Sequence, residues 1–284
     1  MKAQPLLDYQ SELRPVWCPG CGDHNVLVAL MDALLRAGVE AKDLVVVSGI
    51  GCSGRLPYFI KGYGFHTVHG RALPVATGVK SANPALTVIA VGGDGDGLGI
   101  GGGHLPHTAR RNPDITYLLL DNGIYGQTKG QPSPTTPQGA ETVTSPYGSL
   151  EAPLNPILLA LSQGASFVAQ GFAAATHHEG LTKMIGQGMQ HKGFAFIRII
   201  SPCVTFNPRA TYRHFQSRVV DVPGDHNPSD LRAALSLALE PEKIPLGVLY
   251  QVQRPTLEEG LEATRAKAGA RGQLDLAGLL EGFA

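Results

Sequence analysis

Four cysteines, Cys18, Cys21, Cys52 and Cys203, are the only thiols in the 284-residue chain, and they come from three separated segments, WCPGCG, GIGCSG and SPCVTF. Four thiolates can close a tetrahedral zinc shell or hold a 4Fe-4S cluster, and ligand count does not separate the two. Plain burial of one or two of them is the third reading. The other chemistry-bearing stretch is GGDGDGLGIGGG, Gly92 to Gly103, which holds eight glycines and two aspartates in twelve positions and no lysine or arginine. Gly97, Gly99 and Gly102 satisfy GxGxxG, but a run this rich in glycine matches by accident, and Asp94 and Asp96 would crowd a pyrophosphate. A calcium loop begun at Asp94 puts Leu98 at its fifth position and Leu105 at its twelfth, where oxygen ligands belong. A Walker A loop needs Gly-Lys-Ser/Thr, which is missing.

The remaining reading makes Asp94 a Mg2+ ligand whose partner is Asn122, 28 residues on. Mg2+ takes one or two protein carboxylates and completes its shell with phosphate oxygens and water. The glycines then admit backbone N–H groups to a diphosphate, helped by the dipole of the following helix. The plainer alternative leaves Asp94 and Asn122 as ordinary turn residues at strand ends.

Either site needs a scaffold that gathers strand ends. Apolar, β-branched runs at 43–50, 85–93, 114–122, 165–170 and 193–200 alternate with helical patterns near 24–37, 70–82, 97–111, 155–163 and 178–191. That alternation predicts an α/β fold, a doubly wound, mostly parallel sheet covered on both faces, with ligands beyond the carboxyl ends of its strands. Residues 123–154 carry Pro132, Pro134, Pro137, Pro146 and Pro153 and read as a functional lid or a disordered insertion. Past residue 200 the pattern weakens, leaving a helix near 228–240, a strand near 246–252 and a mixed-charge end suited to a partner-contacting arm or a solvated tail. The chain is therefore divided into a main domain, 1–207, and a small C-terminal extension, 208–284.

Lys plus Arg and Asp plus Glu both total 23, so no basic field points to nucleic acid or to anionic membrane. The first residues lack the apolar core of a secretory leader, and no apolar run reaches the roughly 20 residues of a membrane span. The expected location is the cytoplasm, where cysteines seldom pair as structural disulfides. His104 and His107 share a helical face but read as packing, HHEG at 177–180 is not HExxH, and no GxSxG elbow occurs.

Taken in order, WCPGCGDHNVL, GIGCSGRLPYF, HTVHGRALPVATGVKSANP, GDGDGLGIGGGH and DNGIYGQTKGQ resemble the β subunit of two-subunit 2-oxoacid:ferredoxin oxidoreductases, over about residues 15–207. The resemblance implies a thiamine-diphosphate-binding fold of the diphosphate-domain kind. It implies one 4Fe-4S cluster on Cys18, Cys21, Cys52 and Cys203, and Mg2+ on Asp94, Asn122 and the backbone carbonyl of Ile124. Thiamine diphosphate contacts are implied at Ile50, Gly51, Cys52, Ser53, His69, Gly95, Asp96, Gly126 and Gln127. Arg55 is the candidate to receive a substrate carboxylate, with a surface or interface arginine as the alternative. Lys129 is the candidate gate residue responding to coenzyme A or substrate, with a solvated lysine as the alternative. The implied reaction is oxidative decarboxylation of a 2-oxoacid, 2-oxoglutarate before pyruvate, to acyl-CoA and CO2, with electrons leaving through the cluster to ferredoxin, or the reverse. The glutamate that activates thiamine has no place in this chain, so the resemblance implies an α subunit supplying it, in an αβ pair that doubles. The competing expectations are a non-redox thiamine decarboxylase subunit and an interaction protein stabilised by zinc on the four cysteines.

Overall fold

The computed structural model describes residues 9–269 and 276–282. Residues 1–8, on which part of the leader reading rests, and residues 270–275 and 283–284 of the C-terminal arm lie outside the described residues. The chain runs α1 (Gly22–Ala37), β1 (Leu44–Ser48), β2 (Tyr63–His66), α2 (Ala72–Ala82), β3 (Thr87–Gly93), α3 (His104–Arg111), β4 (Thr116–Asp121), β5 (Ile124–Tyr125) and β6 (Gln131–Pro132). It continues through α4 (Pro156–Ser162), β7 (Phe167–Phe172), α5 (His178–Gln190), β8 (Ala195–Ile200), α6 (Tyr212–Gln216), β9 (Val219–Asp221), α7 (Leu231–Ala238), β10 (Ile244–Gln251), α8 (Leu257–Gly269) and α9 (Leu276–Glu281).

Eight strands form one sheet in the order β2-β1-β3-β4-β8-β7-β10-β9. Its pairs are parallel except β7 with β10, which is antiparallel. Continuous apolar runs suit these strands because both faces are covered and neither needs a polar side. Val46, Ile89, Leu118 and Ile197 face α1 and α5, whereas Val45, Ala90, Leu119 and Phe196 face α2, α3, α4 and α7. Every residue of β4 is buried, and each leucine there stabilises the fold by about 1.5–3 kcal/mol.

Helix boundaries have local causes. α1 stops at Gly38, whose φ of 66° lets its N–H reach the Leu34 and Leu35 carbonyls. α4 starts with Pro156 inside the first turn and the Asn155 side chain accepting from the Ile157 and Leu158 N–H groups.

The path doubles back at β1: β2 lies on one side of it and β3 on the other. The crevice beyond the carboxyl ends of β1 and β3 is therefore the topological switch point where such sheets take ligands. The structure departs from the sequence expectations in four places. The helix expected over 97–111 divides into a wide turn, Gly95–Ile100, interrupted at Gly99, and the separate helix α3. An exposed strand, β2, joins the edge. Residues 123–154 are ordered, with a β5-β6 hairpin and Leu154 N–H donating to the Pro134 carbonyl at 2.8 Å. The arm begins as a docked helix: Thr256 and Glu259 cap α8 reciprocally, at 2.8 and 3.1 Å, and Glu258 accepts from the Asp114 N–H at 3.0 Å.

Candidate active site

The loops after β1, β3 and β4 enclose a cavity of about 110 Å3. Its walls include Ile50, Gly51, Cys52, Ser53, His69, Asp94, Gly95, Asp96, Asn122, Ile124, Gly126 and Gln127, residues that the sequence scatters over 78 positions. Asp94, at the end of β3, is only 1% exposed. One of its oxygens accepts from the Asn122 N–H at 3.4 Å. The other accepts from the hydroxyls of Ser133 and Thr135, the latter at 2.8 Å. Thr135 Oγ1 also lies 2.8 Å from Asp121 Oδ1, and Asp121 Oδ2 in turn accepts from Arg198 Nε at 2.7 Å. Burial first, then neighbouring Asp121, pushes the Asp94 carboxyl up to about 7. A dry carboxylate raised in this way is where a divalent cation gains most, so the donor set fits Mg2+. Asn122 Oδ1 accepts from the Ile124 N–H at 3.0 Å, a local turn that sets Ile124 into the same wall.

Glycine is required here for room. A methyl at Gly95 would collide with the Tyr125 ring, whose hydroxyl donates to the Gly95 carbonyl at 3.0 Å. The glycine thus admits the Tyr125 ring, which packs beside Asp94 against the cavity wall.

Asp96 points away from Asp94's partners. Its Oδ1 accepts from Ile50 N–H at 2.9 Å, His69 Nδ1 at 2.6 Å and Gly70 N–H at 2.8 Å. One oxygen thus fastens the loop after β1 to the loop after β2. The contact selects the Nδ1–H tautomer of His69 and leaves Nε2 as the nitrogen available to a ligand.

The four cysteines meet beside this cavity. Trp17 Nε1 donates to the Cys52 carbonyl at 2.7 Å, Gly22 N–H to the Pro202 carbonyl at 3.1 Å and Ser201 Oγ to Asp23 at 2.6 Å. These bonds tie the three cysteine segments together. A Cβ built on Gly126 would lie 3.5 Å from Cys203 Sγ and 3.9 Å from Cys52 Sγ, so a glycine of the cavity wall is also in contact range of two thiols. Burial, then Asp23, pushes the Cys52 thiol up to about 12 and drives Cys21 further in the same direction, with other cysteines of the group contributing. All four are unbridged. Thiols so held are poor nucleophiles, and a bound metal or cluster is what would draw off their protons. Among the described residues no three His, Cys, Asp or Glu side chains stand at the spacing of a metal shell. The four thiols share one locality, and their number and type fit a cluster.

Arg55 is half-buried in the turn after Cys52, near enough for its charge to oppose the rise of the Cys52 pKa. Lys129 is exposed, at a φ of 79°, with its N–H donating to the Gly126 carbonyl at 3.1 Å. Neither lines the cavity. Sequence reasoning missed Ser133, Thr135 and Arg198. The signal for the first two was present, a run of hydroxyls between prolines in QPSPTTP.

The fold and this crevice define a thiamine-diphosphate enzyme domain: residues 49–199 match the family described as thiamine pyrophosphate enzyme, C-terminal TPP binding domain. Residues 203–266 match the family that describes the C terminal of the pyruvate ferredoxin oxidoreductase beta subunit. A 2-oxoacid:ferredoxin oxidoreductase 2 subunit beta of Aeropyrum pernix is 42% identical over 273 residues, 92% of this chain and 88% of that one. The 2-oxoglutarate synthase subunit KorB of Methanothermobacter marburgensis is 38% identical over 263 residues, 90% of each. A solved 2-oxoglutarate:ferredoxin oxidoreductase from Magnetococcus marinus, with 2-oxoglutarate, coenzyme A and succinyl-CoA bound, superposes with a TM-score of 0.94 at 44% identity, covering 99% of this chain and 96% of that one. The chain belongs to the β subunits of the 2-oxoacid:ferredoxin oxidoreductases. It is thus an oxidoreductase subunit of a thiamine-diphosphate-dependent enzyme, and a β subunit works with an α partner. Among the described residues no helix is long and apolar enough to cross a membrane.

Proposed function

We propose that this subunit serves a cytoplasmic enzyme converting 2-oxoglutarate, coenzyme A and oxidised ferredoxin to succinyl-CoA, CO2 and reduced ferredoxin, and that the same parts run in reverse to fix CO2. Pyruvate is the second-choice substrate. The observation that carries the reading is Gly126, a wall of the diphosphate cavity with two cysteine sulfurs against it. A site for carbon chemistry and a site for single electrons then share a partition. The 2-oxoglutarate preference draws on the ligands named for the Magnetococcus marinus enzyme and on the KorB relative.

When bound, thiamine diphosphate supplies the carbanion chemistry at the keto carbon, and a 4Fe-4S cluster accepts electrons one at a time. The chain's own residues position both. Asp94, Asn122 and the Ile124 carbonyl hold Mg2+, and the Thr135 hydroxyl keeps the Asp94 carboxylate oriented. Gly95 and Gly126 let the diphosphate approach, Asp96 locks the Ile50 and His69 segments, and Cys18, Cys21, Cys52 and Cys203 hold the cluster. Arg55 receives the substrate carboxylate, and Lys129 stands on the rim as a gate. The activating glutamate comes from the α partner, and the αβ pair doubles. We assign 1–207 to cofactor binding and 208–284 to the extension and partner contacts.

Anaerobically purified αβ complex should be brown, with about four irons and matching sulfide per β chain. Viologen reduction with coenzyme A should show the highest kcat/KM for 2-oxoglutarate in a panel of 2-oxoacids. A colourless protein with stoichiometric zinc would overturn the redox reading, and CO2 release without viologen reduction would make it a non-redox decarboxylase. A higher kcat/KM for pyruvate would reverse the substrate assignment.

A further inference from the structure

We propose that the turn after Cys203 together with α6 forms the docking surface for an acidic electron-carrier protein; this rests on the redox reading above. Cys203 itself is buried, but the next residues surface at once: Val204 is 39% exposed and Phe206 37%. Asn207 N–H donates to the Cys203 carbonyl at 3.1 Å, so the turn is tight and brings Val204 and Phe206 to the surface within three residues of Cys203. The other cysteine turn lies against it. A Cβ on Gly20, between Cys18 and Cys21, would sit 3.7 Å from the Val204 side chain, and Tyr212 Oη donates to the Gly20 carbonyl at 3.2 Å. α6 is thereby fastened to the thiol-bearing turns.

The charge along this stretch of chain is one-sided, the next acid being Asp221, with Glu141 facing Arg209 from the loop before α4. In a chain balanced at 23 basic and 23 acidic residues, positions 202–220 hold Arg209, Arg213, His214 and Arg218 and no acid. Arg213 is exposed and has no side-chain partner among the described residues. Arg209 is 58% exposed and meets only Glu141, itself 61% exposed, a pair that a stronger anionic partner can displace. Exposed apolar residues close in sequence to exposed arginines suit a weak, fast, electrostatically steered encounter. Each encounter removes one electron, so two carriers are reduced for every 2-oxoacid decarboxylated to its acyl-CoA, with the coenzyme A thiol proton released.

The test uses the αβ holoenzyme, an acidic [4Fe-4S] ferredoxin as the probe and calorimetric Kd as the readout. Arg213→Glu should weaken binding about tenfold at about 0.01 M salt. That difference should shrink as the screening length falls from about 30 Å to about 10 Å near 0.1 M. Lys267→Glu, the same charge change on α8, should bind like wild type. Iron, sulfide and the visible spectrum of each variant show whether the cluster is intact. With the iron present, a salt-insensitive Kd unmoved by Arg213→Glu overturns the docking site alone. Loss of αβ assembly in Arg213→Glu, seen by gel filtration, overturns it too by giving the face to the α subunit. Wild type lacking iron defeats the redox reading and the docking site with it.

Discussion

The two corners of the site, joined at Gly126, are finished to different degrees. At the diphosphate corner the chain partners most of its own polar groups: Asp94 accepts from Ser133, Thr135 and the Asn122 backbone, and Asp121 is paired with Arg198, while Asp96 Oδ2 is buried without a partner. At the cysteine corner the backbones are tied together, yet burial holds the thiols of Cys21 and Cys52 in their neutral form. Hydrogen bonds can prearrange oxygen ligands because a carboxylate is a strong acceptor even before a cation binds. Thiols are only weak donors and acceptors, so hydrogen bonds hold them less firmly than they hold carboxylates.

Breaking the cysteine corner should have the largest effect. Cys203→Ala should lose most of the iron and drop viologen reduction by at least about 100-fold, while Mg2+-dependent thiamine diphosphate binding by the αβ complex stays within a few-fold; a joint loss would show that the corners assemble as one. At the other corner, Asp94→Ala should weaken Mg2+-dependent thiamine diphosphate binding by about 100-fold and leave iron content unchanged, measured by calorimetry and metal analysis; retained binding would remove Asp94 from the metal shell. Thr135→Val keeps the shape but deletes the hydroxyl between two carboxylates. It should raise the Mg2+ concentration needed for half-maximal cofactor binding about tenfold, and no change would mean that the prearranged bonds are ornamental.

The smallest effect lies outside both corners. His191 is buried, with Nε2 2.8 Å from Ser166 Oγ, and burial lowers its pKa below the usual 6.5. A depressed histidine contributes stability that is full above the unfolded value and lost as pH falls through the folded one. Thermal melts should therefore fall as pH drops below about 6.5, and His191→Gln should flatten that slope. Identical slopes in variant and wild type would show that His191 carries none of it.

The sequence made the site more legible than its support. Asp94 and Asn122 were readable because each ends an apolar strand, and strand ends in a parallel sheet converge. The long-range bonds were not readable. Thr135 touches Asp94 41 positions away, and nothing local distinguishes it from any loop hydroxyl. Asp96, which the resemblance implies as a cofactor contact, does line the cavity, but its bonds to Ile50, His69 and Gly70, 26–46 positions away, have no local signal. β2 escaped notice because Tyr-Gly-Phe-His is short, and with no buried face it has no alternation to read. The break in the expected 97–111 helix follows from glycines, which tolerate the conformation Gly99 adopts but do not announce it.

That unread strand has a consequence for handling the protein. At one edge of the sheet β10 turns antiparallel and carries β9 outside it, whereas at the other β2 has no outer neighbour among the described residues. Its backbone is an open template, flanked by the exposed rings of Tyr63 and Phe65, without the charged side chains that usually discourage strand addition. Produced alone, the subunit should self-associate along that edge, and the solubility of the preparation should depend on synthesising it together with its partner.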